Sequence, residues 1–116
     1  MTLQINSYSF GRTEINGKTY TSDLKIINGQ VVPNWWRKDG HHLYPEDIKD
    51  ILSSDCEVLV VGTGAYGVMK IDQAVKDACA QKGIKLEAYK TEEAVKRFNK
   101  LSASGVKVAG AFHLTC

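Results

Sequence analysis

Two prolines, three cysteines, a net charge of +2 and no long apolar run in 116 residues exclude several kinds of protein at once. Cys56, Cys79 and Cys116 are odd in number, widely spaced and without a C-x-x-C pair. They suit reduced thiols in the cytoplasm better than a disulfide framework. His113 and Cys116 stand close together, but a zinc site would need partners from far along the chain, so no metal is expected. No apolar stretch approaches the roughly 20 residues that cross a bilayer, and Met1-Thr2-Leu3-Gln4 begins neither a secretion signal nor a transit peptide. The small charge excess argues for neither nucleic acid nor a membrane as partner. Ser-His-Asp order, paired carboxylates, a P-loop lysine and H-E-x-x-H are all missing, and the enzyme classes built on them have no support.

What is present is ordinary globular material, 43% apolar and 24% charged, of a length that fits one domain over residues 1–116. The chain is organised around Val58-Leu59-Val60-Val61, an unbroken apolar run that reads as a strand covered on both faces. Upstream, from Ile5 to Val32, residues alternate with period two and are interrupted by Asn16-Gly17 and Asn28-Gly29. Asn-Gly suits the type I′ turn, in which both central residues take positive φ. The expectation is a three-stranded antiparallel meander, with Tyr8 and Phe10 on one side of its first strand and Leu24 and Ile26 on one side of its second.

Pro33 to His42 shows neither period and reads as a functional loop. Pro45 opens a short helix with Ile48, Ile51 and Leu52 on its inner face. Asp72 caps a second helix that Gly83 ends, Ile84 to Tyr89 is a strand, and Thr91 is placed as the N-cap of a last helix closed by Gly105. Val106 to Leu114 returns as a strand. The fold class is therefore α/β and three-layer, with a mixed central sheet, an N-terminal antiparallel β-meander and then a βαβαβ unit.

Gly62-Thr63-Gly64-Ala65-Tyr66-Gly67 matches G-x-G-x-x-G and follows a strand, as a dinucleotide site requires. Against that reading, Val68 to Ile71 separate the motif from the cap at Asp72, and the acidic Glu87 falls inside the next strand. A tight strand-to-loop connection, a dinucleotide site and some other anion loop all stay open. In the other loop, Arg37, His41 and His42 suit an anion or a proton, and Trp35 and Trp36 suit a flat ligand or a protein partner. The plainer alternative has the aromatics plugging the core beside a solvated Arg and His. Cys116 is either a nucleophile assisted by His113 or a tail thiol without chemistry.

Together and in order, Tyr20-Thr21-Ser22-Asp23-Leu24, Trp36-Arg37 with Gly40-His41, Gly62-Thr63-Gly64, Thr91 with Ala94 and Asn99, and His113-Leu114-Thr115-Cys116 resemble one family over nearly the whole chain. It is the small domain of uncertain function, found in archaea, bacteria and eukaryotes, that also occurs in an adipogenesis-associated human protein and a mitochondrial complex I assembly factor. The resemblance implies a three-layer α/β fold with a mixed sheet and no settled activity or cofactor. It is similar at its terminus to the archaeal members, so a respiratory role is not carried over. Arg37 and His41 match the family's loop pattern; Trp35 and His42 stand beside them as additions.

These readings converge on a cytoplasmic binding or assembly module without catalysis or cofactor, acting on a protein partner or a second copy of itself. The alternative is a small-molecule or anion site, open to enzymatic use, between Gly62–Gly67 and Trp36–His41. The ligand or partner candidates are Trp36, Arg37, His41, Gly62, Thr63, Gly64, Tyr66 and Gly67, with Cys116 as the thiol candidate.

Overall fold

The computed structural model describes residues 3–116; Met1 and Thr2, the start of the stretch read for a leader, lie outside the described residues. Strands β1 (Ile5–Ser9), β2 (Arg12–Ile15) and β3 (Lys18–Tyr20) form one antiparallel sheet, and β4 (Leu24–Ile27) and β5 (Gln30–Val32) form a hairpin that joins another. β6 (His42–Leu43) precedes a 3-10 turn at Pro45–Ile48 and the short helix α1 (Lys49–Leu52). Then come β7 (Val58–Thr63), β8 (Lys70–Ile71), α2 (Gln73–Gln81), β9 (Lys85–Tyr89), α3 (Thr91–Ala103) and β10 (Val108–His113).

The larger sheet has the order β5-β4-β10-β7-β9. β10, β7 and β9 run parallel, while β4 pairs antiparallel with β10 and with β5. The βαβαβ unit is as its sequence predicts, and β7 lies between two neighbours with Val58 to Val61 all buried. Alternation sends Val58, Val60, Phe112 and Leu24 to one face, where they meet α3 and the three-stranded sheet. Leu59, Val61, Ala109 and Ala111 face α1, α2 and Trp35 on the other. These are the three layers.

The meander differs from its expectation. Both Asn-Gly turns are present with positive φ at Asn16, Gly17, Asn28 and Gly29, but a further turn at Phe10-Gly11, with Gly11 at φ 72°, and a break at residues 21–23 make five strands divided between two sheets. Phe10 is displaced onto that turn and is 56% exposed, so only Tyr8 of the expected pair packs inward. Thr21-Ser22-Asp23 crosses from one sheet to the other.

Thr91 is also corrected. Lys90 is the N-cap of α3, and Thr91, the first helical residue, uses its hydroxyl elsewhere: it accepts from Gly64 N–H at 2.9 Å and donates to the His113 carbonyl at 2.6 Å. It thereby ties the ends of β7 and β10 together. Asp72 does cap α2 through Ala74 N–H, and Gly83 and Gly105 follow α2 and α3 at positive φ. Asn99 cross-links α3 to β1, accepting from Ile5 N–H and donating to the Ile5 carbonyl. Among the described residues, no helix is long and apolar enough to cross a membrane.

Candidate functional site

Strand register decides what meets at the end of the sheet. Leu24 of β4 lies opposite Phe112 of β10, so Asp23, one residue before Leu24, arrives beside His113 and Leu114. Its Oδ1 accepts Leu114 N–H at 2.7 Å, and its Oδ2 faces His113 Nδ1 at 2.7 Å and Arg37 Nη2 at 2.9 Å. The loop is held to the same connector: Asn34, at φ 56°, donates its N–H to Ser22 Oγ, and Trp35 N–H donates to the Asp23 carbonyl.

Trp35 fixes the arginine. Its ring is 6% exposed, its indole N–H donates to the Asp47 carbonyl at 3.0 Å, and the Arg37 guanidinium lies over it at 4.6 Å. Lys25, paired with Asp50, sits 5.9 Å from the same ring. Arg37 is thus not the solvated side chain of the plainer reading; its side chain is 4% exposed.

The hydrogen-bonding capacity does not close. A guanidinium carries five N–H groups. Nη2 serves the Gly40 carbonyl at 3.0 Å and Asp23, whereas Nε and Nη1 are buried without a partner among the described residues. His113 Nδ1 faces a carboxylate, which can only accept, and therefore donates to it. Nε2 is buried and unpartnered too, so the Cys116 thiol does not lie on it. Buried polar atoms are nearly always satisfied, and a cluster that is not calls for a water, an ion or a ligand.

Burial alone would raise the Asp23 pKa, but hydrogen bonds from His113 and Leu114 N–H and the charges of His113 and Arg37 outweigh it, holding the carboxyl below its usual range. Asp23 is therefore an anion, and it compensates the single charge of Arg37. Beside them is a cavity of about 590 Å³, lined by the Thr21–Asp23 connector, residues 34–37, Gly40 and His113. Trp36 lines it as well and is 87% exposed.

The glycine loop is arranged differently. Gly64 N–H goes to Thr91, Ala65 N–H to the Thr115 carbonyl, Gly67 N–H to the Gly64 carbonyl and Val68 N–H to the Cys116 carbonyl. Donors that could cradle a phosphate are occupied by the chain itself, Ala65 and Val68 by its last two residues and Gly64 by Thr91. A Cβ on Gly64, which sits at φ 105°, would collide with the Cys116 backbone, and one on Gly62 would press on Thr91 and Phe112. Thr63 donates to the Tyr89 carbonyl. Glu87, considered for a ribose, is held by Arg97 with its pKa lowered to about 2.

The two loops therefore do not line one cavity. Gly64 lies behind His113, Tyr66 is exposed with its ring tilted against Phe10 at 6.2 Å, and Gly67 abuts Lys90. His41 is exposed, 6.2 Å from His113 ring to ring, and is not part of the cavity wall. His42 pairs with Asp72. Cys116 is a half-buried free thiol, and among the described residues no three of His, Cys, Asp and Glu converge closely enough to hold a metal ion. Asp23, the centre of the arrangement, was not among the candidate site residues; its signals in the sequence were its place in the Tyr20-Thr21-Ser22-Asp23-Leu24 segment of the family resemblance and a polar triplet directly before the buried Leu24.

A model of a family described as a protein of unknown function (DUF498/DUF598) matches residues 5–113. The chain belongs to that family. Solved structures share the fold of this DUF498/DUF598 chain throughout. One described as MT938 is 25% identical at a TM-score of 0.83, with 99% of this chain and 100% of that chain covered. A conserved hypothetical protein, PH1505 of Pyrococcus horikoshii OT3, is 27% identical at 0.82, with 97% and 99% covered. An outer membrane protein from Bartonella henselae is 23% identical at 0.85, with 99% and 97% covered, a likeness of fold alone. The matched DUF498/DUF598 segment runs through every residue of the Asp23, Arg37 and His113 cluster and stops before Cys116.

Proposed function

We propose that this chain is a cytoplasmic binding module for a small anionic ligand, seated against Arg37 and His113 and not chemically altered there. One observation carries the reading: a guanidinium almost wholly buried at a cavity wall, with Nε and Nη1 lacking an acceptor among the described residues. A buried cation in that state is poised for a charge-assisted hydrogen bond, the stronger kind. No nucleophile rests on His113 Nε2, which favours binding over covalent catalysis. Three free thiols suit the reducing cytoplasm.

Titrating isotope-labelled protein with acetate and with inorganic phosphate, at fixed ionic strength, tests this by NMR. Saturable shifts of the Arg37, Gly40 and His113 signals are expected, and Arg37→Gln should weaken them by more than about tenfold, the worth of one hydrogen bond to a charged group. Shifts that never saturate, or that persist in the variant, overturn the reading. The bare Trp36 indole favours a second one, capture of a protein partner by the same loop. Partner capture that survives Trp36→Ala removes it.

A further inference from the structure

Resting on that anion site, we infer that its ligand is a planar aromatic monocarboxylic acid, with the carboxylate on Arg37 and the ring against Trp36. Size gives the first argument. The cavity, at about 590 Å³, falls in the range that encloses an organic molecule. An isolated acetate or phosphate would leave most of it empty, so the ligand has a body as well as an anionic group.

The second argument is the body's chemistry. Trp36 is the most exposed large apolar side chain among the described residues, yet the neighbouring Trp35 is buried under Arg37 and Lys25. An indole left bare at the mouth of a cavity offers a flat face with nothing on it, and aromatic rings gain from offset or edge contacts beyond their buried area. The third argument is charge. Asp23 already offsets Arg37, and the nearest further ionisable group at the cavity wall is His113, with His41 beyond it. A single negative charge fits three unpartnered N–H groups; a dianion would face Asp23 with Arg37 as the one permanent cation in the wall. His113 Nε2, unpartnered among the described residues, is left for a polar group on the ring.

The test is isothermal titration with indole-3-carboxylate, indole-3-carboxamide, cyclohexanecarboxylate and inorganic phosphate, using the intact protein and Trp36→Ala. Trp36 makes no buried contact, so the variant keeps its fold. Indole-3-carboxylate should bind most tightly, the carboxamide should not bind, and Trp36→Ala should weaken indole-3-carboxylate roughly three- to tenfold while leaving phosphate unchanged. Equal or tighter binding of cyclohexanecarboxylate or phosphate, or no effect of Trp36→Ala, overturns the aromatic acid and leaves the anion site standing. Binding of none of the three anions overturns both.

Discussion

The glycine loop and the tryptophan loop look equally eligible as letters, and their backbones have opposite fates. Gly62 to Gly67 carries a phosphate-binding spelling, but the amides of Gly64, Ala65 and Gly67 are taken by Thr91, Thr115 and Gly64, and that of Val68 just beyond by Cys116. Residues 34–40 carry no phosphate-binding spelling, yet they bury a guanidinium at the wall of a cavity, with three of its N–H groups unpartnered among the described residues. A motif's chemistry lies in the donors it leaves free, and here the chain's own terminus has occupied the cradle. One loop is a clasp, and the other is the receptor in the function proposed above.

The comparison breaks most directly at Gly64. Alanine there would meet the Cys116 backbone in a left-handed conformation, so Gly64→Ala should cost about 4 kcal/mol or more, read as a lowered urea midpoint. A nearly neutral variant would mean that the terminus is not fixed in the loop, and the amides would again be free for a ligand.

On the other side, Asp23 holds three partners. Asp23→Ala leaves Arg37 buried and uncompensated and should cost about 3 kcal/mol in the same assay. Its pKa is lowered in the fold, so the unfolded chain binds protons more readily across the acid range. The stabilisation is complete above the ordinary aspartate range and is lost as the pH falls through the lowered value. Glu87 behaves with the same sign, from its ordinary 4.5 down to about 2, and is untouched by changes at Asp23. The difference between the protein and Asp23→Asn therefore isolates Asp23, and should shrink as the pH falls. A pH-independent difference would show that the carboxylate is not what holds the loop.

Thr91 joins the two regions, since it binds Gly64 N–H on one side and the His113 carbonyl on the other. Thr91→Val keeps the shape and strands both groups, so a loss of about 2 kcal/mol is expected in urea unfolding. If the clasp supports the receptor, His113 ring signals should also shift in the NMR spectrum of this variant. Unmoved His113 signals would make the two loops independent.

What could be read from sequence was local. Asn16-Gly17 and Asn28-Gly29 announce their turns because the required positive φ is written in the residue types, and the apolar run of β7 announces a doubly covered strand. Phe10-Gly11 bears no such signature, so the third turn and the split into two sheets were missed. Thr91 looked like a cap because threonine before a helix usually is one; its tertiary partners at Gly64 and His113 overrode that preference. The site was the least legible part. Arg37 was chosen, but Asp23 and His113 are 90 positions apart and meet only through the β4–β10 register, which no local pattern encodes.

Trp35 and Trp36 show the same limit within two adjacent letters, 6% and 87% exposed, and they supply the smallest expected effect. Replacing an exposed side chain away from any cap or core contact changes stability by less than about 0.5 kcal/mol. Trp36→Ala should therefore leave the urea midpoint where it is, although it removes one of the largest apolar surfaces on the molecule. That null result is informative because exposure of an indole to water is unfavourable in the free protein. An unchanged midpoint would show that Trp36 gives the fold nothing, as the proposed ligand contact requires of a side chain left bare beside an unsatisfied guanidinium. A clear loss of stability would instead place Trp36 in the fold and reduce the receptor to Arg37 and His113 alone.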